Sequence, residues 1–102
     1  MGKGVNLGKA SEISVGGMKG FVVKDHKILV SNIGGKFYAV DSLCTHVKGP
    51  LDKGSLAGEI VTCPWHGSEF NVETGEVIKG PAKTALKMYE ISVENGELFI
   101  NL

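Results

Sequence analysis

The stretch Cys63–Gly67 reads CPWHG and places a thiol and an imidazole three positions apart. Both side chains bind soft or borderline metals, through sulfur and nitrogen respectively. One CxxH pair supplies only two ligands, and the chain contains two cysteines in all. Four thiolates therefore cannot hold a metal here, and the remaining ligands must come from elsewhere in the sequence.

A second pair of ligand-type residues lies upstream, in the segment DSLCTHVKGPL at residues 41–51. Cys44 and His46 form a CxH pair there, and 16 residues separate His46 from Cys63. Two thiols and two imidazoles on two glycine-bearing loops can converge on one centre. Such a set suits zinc or an iron–sulfur cluster and does not suit magnesium or calcium. The ligand types alone leave both centres open.

The flanking sequence predicts an all-β protein, because short runs rich in Val, Ile, Phe and Tyr alternate with turn residues. The predicted strands are 20–24, 27–32, 36–41, 59–62, 69–72, 86–94 and 97–101. Asp25-His26, Gly34-Gly35 and Asn95-Gly96 are the predicted hairpin turns. His26, in the first of these turns, is expected to be an ordinary exposed residue. No window of helix length keeps a 3.6-residue apolar period.

Residues 43–80 differ from the rest, because they hold many glycines, two of the three prolines and only short strand-like pieces. Because the chain has 102 residues, we predict a single domain over residues 1–102. Its β scaffold, or base, is formed by residues 1–41 and 82–102. A loop-rich insertion at about 42–81 carries the ligand residues.

Both ligand loops resemble those of Rieske proteins, in which C-x-H and C-x-x-H loops hold a [2Fe–2S] cluster. The matching residues are Cys44, His46, Gly49-Pro50-Leu51, Cys63-Pro64, His66-Gly67 and Phe70, and more loosely Gly80-Pro81-Ala82. The resemblance implies an antiparallel β-sandwich base with a cluster-binding insertion. It also implies that Cys44 and Cys63 bind one iron, while His46 and His66 bind the other.

The resemblance assigns further residues to the surroundings of the cluster. Ser68 matches the family serine that hydrogen-bonds sulfur, and Pro81 matches the proline loop that covers the cluster. Phe70 stands where respiratory-chain members have a tyrosine. Gly49 and Trp65 occupy the positions of a disulfide found in those members, so that brace is absent. Trp65 is expected to shield the cluster from water.

The implied function is that of a soluble one-electron carrier, a Rieske-type ferredoxin, and not that of an enzyme. It would accept electrons from a reductase, typically an NAD(P)H flavoprotein, and pass them to an oxygenase or another acceptor. One alternative is a small electron-transfer subunit of a larger redox enzyme, similar to the small subunit of nitrite reductase. A structural zinc protein is the other alternative.

Composition narrows the partners and the location. The formal net charge is zero, with 11 basic and 11 acidic residues, whereas nucleic-acid binding usually requires a basic excess. The apolar runs are too short to cross a bilayer, and the N-terminal segment lacks the apolar core of a signal peptide. We therefore expect a cytoplasmic protein with redox-protein partners and no nucleic-acid or membrane partner.

Overall fold

The computed structural model describes residues 4–44, 49–65 and 67–102, and within these ranges it contains strands and short 3-10 turns but no α-helix. The ten strands are β1 (Val5–Lys9), β2 (Met18–Val23), β3 (His26–Ile33), β4 (Lys36–Asp41), β5 (Ser55–Ala57), β6 (Ile60–Thr62), β7 (Glu69–Asn71), β8 (Val77–Lys79), β9 (Met88–Glu94) and β10 (Glu97–Asn101). All of the strand pairs are antiparallel. The predicted all-β class is confirmed.

Three hairpins are closed by two-residue turns in which both residues have positive φ. Gly34 and Gly35 have φ of 64° and 96°, and Asn95 and Gly96 have φ of 53° and 78°. This pattern is typical of a type I′ turn, whose twist matches that of the flanking strands. Both of these turns lie where the sequence predicts them.

The first hairpin turn lies one residue earlier than predicted. Lys24 and Asp25 occupy it, with φ of 48° and 70°. His26 instead pairs with Val23 as the first residue of β3. The sequence signal was ambiguous here, because neither candidate turn contains the glycine that usually marks a left-handed conformation.

The longer sheet has the strand order β1-β10-β9-β4-β3-β2. Its two halves are joined along β4 and β9, which share only two register pairs. Buried side chains from both halves form one core: Ile28, Val30 and Ala39 from β3 and β4, and Tyr89, Leu98 and Ile100 from β9 and β10. The halves therefore fold over one another around this core, as in a sandwich.

Strand β3 is buried on both of its faces. Ile28 and Val30 belong to the core between the sheet halves, whereas Leu29 belongs to a second core on the opposite face. Alternate residues of a strand point to opposite faces, which is why the centre of β3, Ile28–Val30, is a continuous apolar run. The second core packs the long sheet against the segment that contains the two cysteines.

That segment contains the shorter sheet, of strand order β5-β6-β7-β8. β6 and β7 lie within one residue of their predicted bounds, whereas β5 and β8 were not predicted. β1 was missed as well. All three missed strands are short, and each contains glycine or lies beside turn residues. Each therefore has a weak pattern of its own and forms because a neighbouring strand provides hydrogen bonds.

A buried hydroxyl on β3 provides a test of the packing. Ser31 Oγ is fully buried and has no hydrogen-bond partner among the described residues. Leaving a buried polar group unsatisfied costs about 1–3 kcal/mol, so Ser31→Ala is expected to leave stability unchanged or to raise it by up to about 1 kcal/mol. Chemical denaturation measures this change.

The matched control is the next residue, Asn32, which is also buried but has hydrogen-bond partners for its side chain. Its side-chain amide donates to Ile13 O at 2.9 Å, and its Oδ1 accepts from Gly35 N at 2.9 Å. Asn32→Ala is expected to destabilise the protein by about 2 kcal/mol or more, because Ile13 O and Gly35 N each lose a hydrogen-bond partner. Equal losses in the two variants would contradict this account.

Candidate metal centre

The two cysteines begin two loops that are closed in the same way. Cys44 N donates to Gly49 O at 2.8 Å, and Cys63 N donates to Ser68 O at 2.8 Å. In each case the cysteine is bonded to the residue five positions later. The first loop follows β4 and the second follows β6. Each closure brings the chain back upon itself and leaves the predicted histidine between the bonded residues.

Both cysteine side chains point into the same apolar core. Cys44 and Cys63 are each 1% exposed, and both are free thiols. They share the second core with Leu51, Val61 and Phe70. The fold thus brings together two thiols that are 19 positions apart in sequence, and it does so without a disulfide.

The two predicted histidine ligands, His46 and His66, lie outside the described residues. Within the described ranges no three Cys, His, Asp or Glu side chains are arranged to hold a metal ion. The histidine half of the ligand set therefore stays a prediction from the sequence.

Gly49 lies directly against the second loop. A β-carbon at this position would fall 2.7 Å from Cys63 Sγ and 3.3 Å from Trp65 Cγ. Any side chain at position 49 would have to displace the thiol or the indole. Gly49 and Trp65 are thus adjacent, and the indole packs on the glycine.

Trp65 covers Gly49 but is itself largely outside the core, with 58% of its surface exposed. One edge of the indole packs on the first loop while the rest faces solvent. The shielding role of Trp65 stays a prediction, and the contact that the structure describes for the indole is the one with Gly49.

Ser68 and Pro81 belong to neighbouring segments that are hydrogen-bonded to each other. Ser68 is fully buried, and its Oγ accepts a hydrogen bond from Ala82 N at 3.0 Å. This bond uses an oxygen lone pair, and the hydroxyl proton can still be donated elsewhere. Pro81 itself is exposed, beside the buried Ala82. The bond fixes the proline segment to the second loop.

His26 belongs to the base and not to the centre. It is exposed, as predicted, and its ring meets that of Tyr89 edge-on at 6.1 Å between centroids. Burial, together with the hydrogen bond that Tyr89 Oη donates to Asp41 Oδ1 at 2.5 Å, raises the pKa of Tyr89 to about 12. This tyrosine therefore remains protonated over the ordinary pH range.

The described donors fit an iron–sulfur centre. Two free thiols that are buried together supply sulfur ligands, and apolar surroundings exclude water from them. Glycine at position 49 avoids a clash with the thiol, because a β-carbon there would fall 2.7 Å from Cys63 Sγ. These features agree with the cysteine half of the predicted ligand set.

Comparison with known proteins also indicates an iron–sulfur centre. The family model of the Rieske [2Fe-2S] domain matches residues 3–90. The chain is 37% identical over 73 residues to ferredoxin CarAc of Metapseudomonas resinovorans, covering 72% of this chain and 68% of that protein. It is 33% identical over 92 residues to the ferredoxin component of the naphthalene 1,2-dioxygenase system of Pseudomonas putida, covering 90% and 88% respectively.

A solved structure of similar fold is the complex of reduced oxygenase and oxidized ferredoxin in carbazole 1,9a-dioxygenase. The match has a TM-score of 0.90 at 32% identity and covers 95% of this chain and all of the matched chain, 100%. The fold and the buried thiol pair define a small all-β protein built around a metal centre. The chain belongs to the Rieske [2Fe-2S] domain family.

The predicted cofactor and class of function are confirmed by this membership. The family carries one [2Fe–2S] cluster, and the relatives are electron-transfer components. The chain is a one-electron carrier and not itself an enzyme. In the part of the chain that the structure describes, no helix is long and apolar enough to span a membrane.

Proposed function

We propose that this chain carries single electrons from a reductase, typically an NAD(P)H flavoprotein, to an oxygenase. Support for the oxygenase comes from the relatives, two of which are ferredoxins of carbazole and naphthalene dioxygenase systems. The chain aligns with 88% of the naphthalene-system ferredoxin. That near-complete overlap with a separate ferredoxin component favours a free carrier over a subunit fixed within a larger enzyme.

The proposed ligands are Cys44 and Cys63 on one iron and His46 and His66 on the other. The burial of both free thiols in one core is the observation that carries this assignment. When bound, the cluster supplies a site that accepts and releases one electron. The protein's own residues exclude water from the thiolates, and Trp65, Ser68 and Pro81 are the proposed neighbours of the cluster.

The proposed domain organisation is one domain over residues 1–102, with a base at 1–41 and 82–102 and a cluster-binding subdomain at about 42–81. The strands of the longer sheet lie within the first two of these ranges, and those of the shorter sheet lie within the third. Each subdomain would then have its own sheet, with the second core between them.

The proposed location is the cytoplasm. Support comes from the relatives, which are ferredoxin components of dioxygenase systems. An NAD(P)H-dependent reductase would also supply electrons from the cytoplasmic pool. Fractionation of cells that produce the protein at native level tests this location.

Spectroscopy followed by a transfer experiment tests the function. The purified protein is expected to be red-brown, and reduction should generate the EPR signal of a one-electron-reduced [2Fe–2S] cluster. Reduced protein mixed with the oxygenase component of a naphthalene dioxygenase should be reoxidised faster than by buffer alone. A colourless protein that contains zinc would contradict the cluster, and a cluster that no ring-hydroxylating oxygenase reoxidises would contradict the proposed acceptor.

A further inference from the structure

The first loop is held at its base by a short ladder of backbone contacts, which we call the neck, residues 42–44 and 49–51. Leu51 N donates to Ser42 O at 2.7 Å, and Cys44 N donates to Gly49 O at 2.8 Å. Between these bonds, Leu43 and Pro50 form an antiparallel bridge. The neck therefore fixes the position of Cys44 relative to the long sheet.

Asp52, the residue that follows the neck, turns its side chain back onto it. Ser42 Oγ donates to Asp52 Oδ1 at 3.2 Å, and Ser42 is only 3% exposed. Ser42 N also donates to Lys27 O of β3 at 2.8 Å. The serine thus joins the neck both to the long sheet and to the Asp52 carboxylate.

The other side of the Asp52 carboxylate lies against strand β2. A β-carbon on Gly20 would fall 2.7 Å from Asp52 Oδ2 and 2.9 Å from its Cγ. Glycine is therefore the residue that allows this close approach. The carboxylate is held between the neck and a strand of the base that is distant in sequence.

The 3-10 turn that contains Asp52, Leu51–Lys53, also contacts the second loop's strand. Gly54 ends the turn, and its N–H donates to Leu51 O at 2.9 Å. A β-carbon on Gly54 would overlap Thr62 O. Thr62 is the last residue of β6 and immediately precedes Cys63. The turn therefore lies between the base and the start of the second ligand loop.

We propose that Asp52 is a positioning residue for the metal centre: through Ser42 and Gly20 it sets the position of Cys44 relative to Cys63. This inference rests on the proposed ligand assignment. Its role is one of placement, since Asp52 holds the neck and is not itself a ligand. A carboxamide of the same shape should consequently replace it, whereas a methyl group should not.

The surroundings of Asp52 make its truncation informative. The residue borders an open cleft of about 280 Å³ that is also lined by Phe21, Leu43 and Pro50. Asp52 is the one carboxylate among the described residues that line this cleft, so no neighbouring carboxylate would substitute for the lost contact. The neck would then keep its backbone ladder but lose its attachment to β2.

The test compares cluster-loaded wild type with Asp52→Ala, Asp52→Asn and the control Asp25→Asn, in which asparagine tolerates the positive φ of that position. Asp25 lies in an exposed hairpin turn, so the loss of its carboxylate changes the net charge equally. We measure the rate of cluster bleaching with a chelator and the EPR line shape of the reduced protein. Residues that orient metal ligands typically change metal affinity by about 10–100-fold, and Asp52→Ala should accelerate bleaching by a factor in that range and alter the line shape.

Asp52→Asn should remain close to wild type in both measurements, because its carbonyl oxygen can still accept the Ser42 hydrogen bond. Asp25→Asn should also match wild type. Wild-type behaviour of Asp52→Ala would overturn the proposal. Equal effects of Asn and Ala at position 52 would also overturn it, since they would show that the charge acts and not the placement.

Two further variants keep the proposal testable if Asp52→Ala fails to fold. Gly20→Ala should reproduce the altered line shape by displacing the carboxylate, and Ser42→Ala should do so by removing its hydrogen-bond donor. If both variants have wild-type spectra, the proposal is wrong. Wild-type protein without an iron–sulfur spectrum would instead refute the ligand assignment itself, so the two failures are distinguishable.

Discussion

Replacing Cys44 or Cys63 with serine is expected to abolish stable cluster binding. Each thiol is buried at 1% exposure, and thiolate sulfur is the ligand that iron–sulfur clusters use. Serine is close to cysteine in size, and its buried hydroxyl should cost about 1–3 kcal/mol of stability, so the strands are expected to remain. Iron and sulfide analysis together with visible absorption measures the loss, and circular dichroism confirms that the strands remain.

A suitable control is Val72→Ala in the same core. Val72 is fully buried beside both cysteines in the second core, and its truncation should cost about 1–3 kcal/mol of stability. Both thiols remain, so that variant should retain the cluster. A serine variant that is purified with a full complement of iron and sulfide would contradict the cysteine assignment.

Replacing His46 or His66 with cysteine is expected to lower the reduction potential sharply. With two thiolates and two neutral imidazoles, the formal charges of two ferric ions, two sulfides and the ligands cancel. A third thiolate makes the oxidised centre negative, so it accepts an electron less readily. Histidine-ligated clusters span about −150 to +300 mV and plant-type all-cysteine clusters lie near −400 mV. A fall on the order of 100 mV or more is therefore expected, measured by protein-film voltammetry.

The third histidine provides the matched control. His26→Cys introduces the same chemical change at an exposed position in the base. Its potential should equal that of wild type. An unchanged potential in cluster-loaded His46→Cys and His66→Cys proteins would show that the imidazoles do not bind iron.

Local sequence determined the features that depend on only a few neighbouring residues. Asn95-Gly96 and Gly34-Gly35 specify their hairpins because both positions of a type I′ turn require positive φ. The CxH and CxxH pairs identified four candidate ligands because ligand chemistry is a local property, and the resemblance of their loops to Rieske proteins then predicted the cluster type. The alternation of apolar runs with turn residues likewise predicted the all-β class.

Other features were decided by contacts between distant segments. Strands β1, β5 and β8 have weak patterns of their own and form because partner strands offer hydrogen bonds. In the first hairpin, the β2–β3 register set the turn at Lys24-Asp25 and left His26 in the strand.

Around the cysteines, too, some features follow from local sequence and others from contacts between distant segments. The sequence identified both thiols, but only the folded chain brings Gly49 against Cys63 Sγ and Trp65. Serine and aspartate in turns are too common to predict that Ser42 and Asp52 would bond to each other and lie against Gly20. Ligand identity is a property of single side chains, whereas ligand placement depends on packing between segments that the linear pattern does not relate.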